Sequence, residues 1–217
     1  MQEAVLQAIE REKLIAIIRG VAVQDIEGVL AALLRGGIHM VEITYDHHSR
    51  ESRQETIKAL EIARSKFEGR LFLGAGTVLT VEDVEDAQRA GAQYIISPDT
   101  NAQVIMRTRE LGLVSMPGAL TPTEITKAYH CGANIVKLFP ASTLGLPYIQ
   151  AIAGPLGFIP LAAVGGVTPE RIPQFLQAGI SCFGIGGNLV NAAKVAAGDL
   201  DSIQQSAKRF VQAVSNG

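Results

Sequence analysis

Lys137 stands alone in an apolar stretch, Asn134 to Pro140, NIVKLFP. If the stretch is a strand, alternation turns Ile135, Lys137 and Phe139 one way and Val136 and Leu138 the other. Both faces are then apolar apart from the lysine, as in a parallel sheet covered by helices. Lysine is almost never fully buried without a partner or a task. Desolvation penalises the ammonium, so a buried lysine loses its proton more readily. The neutral amine can attack a ketone and form a Schiff base. The plainer reading is a lysine at a strand end whose ammonium reaches solvent or pairs with a carboxylate. Glu42 is the second residue of interest, inside the apolar run HMVEIT from His39 to Thr44. Met40, Glu42 and Thr44 share a face. A carboxylate there is either the lysine's ion-pair partner or a proton shuttle, and the two groups titrate as a coupled unit.

The other candidates also follow apolar runs. Arg19 comes directly after LIAII, Leu14 to Ile18. Arginine suits two-pronged recognition of a carboxylate, although it can also simply cover a barrel rim. Thr77 follows Gly74-Ala75-Gly76 and offers a hydroxyl to the same group. Gly165-Gly166 and Gly186-Gly187 end the last two apolar runs. Paired glycines let a backbone approach a phosphate closely, or merely make tight turns. Asp46-His47-His48 invites a metal reading. Adjacent histidines on extended chain point apart, however, and no HxH or HxxxH spacing occurs, so a solvated loop fits better. Neither a metal nor a cofactor is expected.

The elements that must position these residues alternate along the chain. Apolar strands are expected at Leu14–Ile18, His39–Thr44, Leu71–Leu73, Gln93–Ile96, Leu113–Met116, around Lys137, at Ile159–Val164 and at Ser181–Ile185. Each is followed by a helical segment, the one after the lysine strand at Leu146–Ala153, and a short helix, Ala4–Arg11, leads the series. Thr80 reads as a helix N-cap, and Thr168-Pro169-Glu170 as a capped helix start. Glycine closes several helices before the next strand, at Gly36-Gly37, Gly91, Gly132 and Gly179. Eight even repeats without a linker predict one α/β domain, a (β/α)₈ barrel spanning the 217 residues. A doubly wound open sheet is the structural alternative. In a closed barrel the active site lies at the carboxyl ends of the strands. That is where Arg19, Glu42, Thr44, Thr77, Ser97, Lys137 and the paired glycines fall.

Composition excludes other roles. The net charge is −2 and 47% of residues are hydrophobic, which gives no support to a nucleic-acid or membrane-surface partner. No apolar run reaches the roughly 18 residues of a membrane span. The opening MQEAVLQAIEREK is charged and amphipathic, unlike a signal peptide. Cys131 and Cys182 lie far apart and read as reduced, buried thiols of a cytoplasmic protein.

Several phrases together resemble one family: IAIIRG, GGIHMVEIT, GAGTVL, YIISP, MPGALTPTEI, NIVKLFPAS, PYIQAIAGP and AVGGVTPE, in family order from about Leu14 to Leu189. The chain is similar to the bacterial 2-keto-3-deoxy-6-phosphogluconate aldolases and their phosphogalactonate relatives. The resemblance implies a metal-free class I aldolase, usually a homotrimer, acting on a small-molecule substrate. It implies Lys137 as the Schiff-base lysine and Glu42 as the general acid/base. It places Thr77 on the substrate carboxylate and Gly165, Gly166 and Gly187 in the phosphate loops, with Pro98 and Phe139 lining the pocket. Three departures stand out. Many phosphogluconate enzymes carry an arginine four residues after the glutamate. This chain has Asp46 there and has Arg19 after its first strand, as the phosphogalactonate relatives do, which implies that Arg19 takes the carboxylate. Val164 stands where the phosphogluconate enzymes typically have threonine, and valine resembles the phosphogalactonate type. A serine frequent in the last phosphate loop is replaced within Gly186-Gly187-Asn188. The rival readings are an aldolase for an unphosphorylated keto acid such as 4-hydroxy-2-oxoglutarate, and a non-catalytic sugar-phosphate-binding barrel.

Overall fold

Every strand of the molecule runs parallel to its neighbours. Each connection between adjacent staves crosses back over the sheet, which is what a parallel pair requires. The computed structural model describes residues 2–216, with only the backbone of Leu144. The strands are β1 (Leu14–Ile18), β2 (Met40–Thr44), β3 (Phe72–Gly76), β4 (Tyr94–Ile96), β5 (Val114–Met116), β6 (Gly118–Ala119), β7 (Val136–Leu138), β8 (Leu161–Val164) and β9 (Ile180–Ile185). The helices are α1 (Gln2–Glu12), α2 (Ile26–Arg35), α3 (Arg50–Phe67), α4 (Val81–Ala90), α5 (Ala102–Glu110), α6 (Pro122–His130), α7 (Ala141–Leu156), α8 (Ile172–Gln177), α9 (Ala192–Ala196) and α10 (Leu200–Ser215). The hydrogen-bonded order is β5-β4-β3-β2-β1-β9-β8-β7-β6.

β5 and β6 are two halves of one stave, separated by Pro117, which has no amide hydrogen to give to a ladder. β5 pairs with β4, and β6 pairs with β7. The ring therefore closes through the proline, whose carbonyl accepts the Lys137 amide at 2.8 Å. The eight expected strands are eight staves of a (β/α)₈ barrel, the fifth in two pieces.

Side chains sort into two cores. Ile15, Met40, Tyr94, Met116, Ile135 and Cys182 fill the barrel interior. Val136 and Leu138 turn outward into the larger cluster between the strands and the helices. This is the alternation expected around Lys137. Helix α1 does more than lead the chain. Its Val5, Ala8 and Ile9 join the interior cluster, and the Gln2 side-chain amide donates to the Leu113 carbonyl at 2.9 Å. It plugs the amino end of the barrel, where burying Val5 and Ile9 contributes roughly 1.5–3 kcal/mol each. The carboxyl end is left open.

Local chemistry sets the helix boundaries. Ser49, Thr80 and Thr121 each form a capping box at the start of α3, α4 and α6. Gly37, Gly91, Gly132 and Gly179 all take the left-handed conformation expected of helix-terminating glycines. Four expectations need correction. β3 does not stop at Leu73 but runs through Gly74-Ala75-Gly76, because those glycines make room inside the barrel rather than a turn. Thr168 makes no side-chain cap, and a 3₁₀ turn over Pro169–Arg171 precedes α8. The helix expected at Leu146–Ala153 begins at Ala141, with a kink at Gly145 where the backbone leaves helical geometry. Cys182 is buried but Cys131 is only partly so, since it caps the exposed end of α6. Among the described residues, no helix is long and apolar enough to cross a membrane.

Candidate active site

Lys137 projects inward from β7, where its register neighbours are Gly118 on β6 and Ala162 on β8. These small residues leave room for a long side chain. The lysine is 5% exposed, and its Nζ lies 4.9 Å from the centre of the Phe139 ring. Glu42 projects inward from β2 and is 1% exposed. Its Oε2 is buried without a hydrogen-bond partner among the described residues. Two glycines of β3 create its niche. A Cβ on Gly76 would overlap the Glu42 carboxylate, and one on Gly74 would overlap the Tyr94 ring. The Tyr94 hydroxyl donates to the Val41 carbonyl at 2.6 Å, so a buried tyrosine forms the floor beside Glu42.

Arg19 and Thr77 meet above this floor, the Arg19 Nη2 donating to Thr77 Oγ1 at 3.0 Å. Thr77 has φ 56°, a left-handed conformation that a β-branched residue rarely adopts. The loop after it is pinned, because the Ser97 hydroxyl donates to the Val78 carbonyl at 2.7 Å. An open cavity of about 510 Å³ brings the expected residues together: Arg19, Thr77, Pro98, Lys137, Phe139 and Val164 line it, with Gly165, Gly166 and Gly187. Glu42 lies deeper, behind the cavity wall.

Electrostatics couple the two ionisable groups. Burial pushes the Glu42 carboxyl above its ordinary range, against the pull of Lys137 and Arg19. Burial pushes Lys137 below the ordinary lysine range. Glu42 opposes that shift and Arg19 reinforces it. The direction at Lys137 favours the neutral amine, the form that can add to a ketone, and the direction at Glu42 eases its uptake of a proton.

At the far side of the cavity, Gly165 and Gly166 have φ 95° and 66°. A Cβ on Gly166 would press on Ser142 at the start of α7, so this glycine is required by the chain itself. Gly186 and Gly187 are different: beyond their chain neighbours, no atom of the described residues lies within 4 Å of a Cβ built on either. Nothing among the described residues demands glycine there, which leaves their backbone open to a ligand. The Asn188 side-chain amide is already engaged, donating to the Val167 carbonyl at 2.9 Å and tying the two glycine loops together.

The Asp46–His48 loop is exposed, as expected, and it also makes specific hydrogen bonds. Asp46 does take up His48, at 2.9 Å from the backbone amide and 2.6 Å from the ring, and these bonds hold its carboxyl below the usual range. His47, although exposed, bonds the Thr77 carbonyl through Nε2 at 2.7 Å. Neither Tyr94 nor His47 is marked as a site residue by spacing. Tyr94 is one of many apolar strand residues, and His47 reaches Thr77 across a gap that sequence does not reveal.

Barrel and site together define a class of enzyme, one that works on a carbonyl compound through a lysine imine. The family model described as KDPG and KHG aldolase matches residues 5–206. The probable 2-dehydro-3-deoxy-6-phosphogalactonate aldolase of Rhizobium meliloti (strain 1021) is 37% identical over 188 residues, covering 86% of this chain and 85% of the relative. A solved structure described as native KDPGal is 33% identical, with TM-score 0.84 and 94% of each chain covered. The KDPG aldolase of Legionella pneumophila, solved with pyruvate captured as a covalent carbinolamine, is 25% identical, with TM-score 0.83 over 93% of this chain and 95% of that one. The chain belongs to the KDPG and KHG aldolase family and is an aldehyde-lyase.

Proposed function

We propose that the barrel cleaves a 2-keto-3-deoxy-6-phospho sugar acid to pyruvate and D-glyceraldehyde 3-phosphate through an imine on Lys137. The observation that carries this reading is the desolvated Lys137 Nζ, which opens on the same cavity as the Arg19–Thr77 pair and the glycine loops. Arg19 and Thr77 take the C1 carboxylate, and Lys137 attacks C2. Water leaves the carbinolamine as Glu42 supplies a proton, and the protonated imine becomes the electron sink. Glu42 then accepts the C4 hydroxyl proton. The C3–C4 bond breaks, its electron pair enters the imine to give an enamine, and the aldehyde departs. Protonation of the enamine at C3, then hydrolysis, frees pyruvate and lysine. Proton transfer of this kind is worth about 10²–10⁴ in rate. The phosphate rests on the backbone of Gly165, Gly166 and Gly187, as barrels commonly arrange it after their last two strands.

Pro98, Phe139 and Val164 form the apolar walls of the pocket. The phosphogalactonate type of substrate is supported by Val164 on the cavity wall and by the names of the relatives. In this reading the chain works as one domain, as a homotrimer and in the cytoplasm, as the family resemblance implies.

The direct test is borohydride reduction in the presence of pyruvate, followed by mass mapping. A reduced pyruvyl adduct on Lys137, absent from Lys137→Ala, is the expected result. A folded protein that gives no adduct overturns the mechanism.

A further inference from the structure

Thr77 occupies a conformation that costs a β-branched residue energy, and such strain persists where neighbours hold it. Two side chains from other parts of the barrel do so. Arg19, after β1, bonds its hydroxyl. His47, after β2, bonds its carbonyl. Because a carbonyl only accepts, His47 Nε2 carries the hydrogen. The imidazole is braced in turn. It stacks on the buried Tyr45, with ring centroids 5.8 Å apart at 29°. The Tyr45 amide donates to the Gly76 carbonyl at 2.8 Å. The Arg53 guanidinium lies 5.7 Å from the centre of the Tyr45 ring, and its Nε bonds Asp83 at 3.0 Å. Asp83 accepts the amides of Leu79 and Thr80, at the other end of the loop that begins at Thr77. His47 and Asp83 thus bracket one loop. Arg19 and Thr77 line both the reaction cavity and a second one, of about 410 Å³, that contains His47. The hydrogen-bonded pair stands between the two spaces.

We propose that His47 is a positioning residue for the substrate carboxylate: by donating to the Thr77 carbonyl it holds Thr77 left-handed and keeps its hydroxyl aligned with Arg19. The proposal rests on the reading that Arg19 and Thr77 receive that carboxylate. His47 never touches the reacting atoms. It raises affinity for a keto acid without changing the chemistry of Lys137. It has no role toward a ketone that lacks a carboxylate.

The test measures borohydride trapping on Lys137 as a function of pyruvate and, separately, of acetone, in the wild type and in His47→Ala, His47→Gln and Arg19→Met, with thermal melting as the folding control. His47→Ala is expected to raise the half-saturating pyruvate roughly five- to tenfold, about what one lost hydrogen bond is worth. The maximal trapping rate and the acetone curve stay as in the wild type. Gln supplies an N–H at similar reach and restores pyruvate saturation to within about threefold. Arg19→Met raises the half-saturating pyruvate more, since it removes a charge-assisted bond. Normal pyruvate saturation in His47→Ala, alongside weakened Arg19→Met, overturns the role of His47 and leaves the clamp intact. An Arg19→Met enzyme that saturates normally overturns the clamp itself. Equal losses for pyruvate and acetone, or no recovery with Gln, show a general distortion and also end the proposal.

Discussion

Gly76 lacks a side chain where the Glu42 carboxylate lies: a Cβ at that position would overlap Glu42 Oε1, and the Glu42 Cγ is in the way as well. The third strand thus gives up a side chain to seat a carboxylate from the second. Gly76→Ala is expected to force that carboxylate out of its niche. Overpacking of this kind costs about 1–3 kcal/mol, read as a lower melting temperature. Cleavage is expected to fall by about 10² or more, toward the level of Glu42→Gln, because the carboxylate proposed as the proton shuttle is displaced. An alanine variant with wild-type turnover ends the assignment of Glu42 as the shuttle in this niche.

The pH dependence of Lys137 separates its two charged neighbours. Burial and Arg19 lower its pKa, and Glu42 raises it. The neutral amine therefore appears at a pH below the ordinary lysine value of about 10.4. Replacing Glu42 with Gln removes the charge that stabilises the ammonium, so the lysine titrates at still lower pH. Replacing Arg19 with Met removes a repelling cation, so titration moves to higher pH. NMR of labelled lysine in the free enzyme reads both shifts directly. Shifts of the same sign in the two variants contradict the electrostatic account.

The barrel was legible because its strands are apolar on both faces and its helices end on left-handed glycines, features that depend on local sequence alone. Alternation, for the same reason, sets Glu42 on a face with Met40 and Thr44, and Lys137 on a face with Ile135, while the barrel decides that these faces turn inward. What escaped was what fills the space between staves. Gly74 and Gly76 look like a turn in one dimension, and only the Tyr94 ring and the Glu42 carboxylate explain them. The break at Pro117 was hidden because a proline beside a glycine reads as a strand end, whereas here the pairing changes partner across it. His47 escaped because its hydrogen-bond partner lies 30 residues further along the chain.

Thr77 offers a test of strain. A left-handed threonine costs about 1–3 kcal/mol, and glycine, which adopts the conformation freely, costs about 0.5–1 kcal/mol in chain entropy. Thr77→Gly is therefore expected to leave the protein at least as stable as before. It also loses the hydroxyl beside Arg19, so the half-saturating concentration of pyruvate rises. Chemical denaturation and pyruvate titration read the two effects separately. A loss of more than about 1 kcal/mol shows that the conformation at Thr77 is relaxed rather than held under strain.

Gly187 separates the needs of the ligand from those of the fold. Beyond its chain neighbours, no atom of the described residues lies within 4 Å of a Cβ placed there, and its φ is not among the left-handed ones. Gly187→Ala is therefore expected to change stability by no more than about 0.5 kcal/mol. If the backbone of this loop receives the phosphate, the added methyl group blocks the approach. KM for the phosphorylated keto acid then rises about tenfold or more, a loss near 1.4 kcal/mol. An unphosphorylated keto acid, which makes no use of the loop, is cleaved as by the wild type. Comparing KM for the two substrates in one variant thus isolates the phosphate contact from the lysine chemistry. Equal effects on both substrates place the phosphate elsewhere on the rim, and Gly165-Gly166 with the start of α7 becomes the surface to probe next.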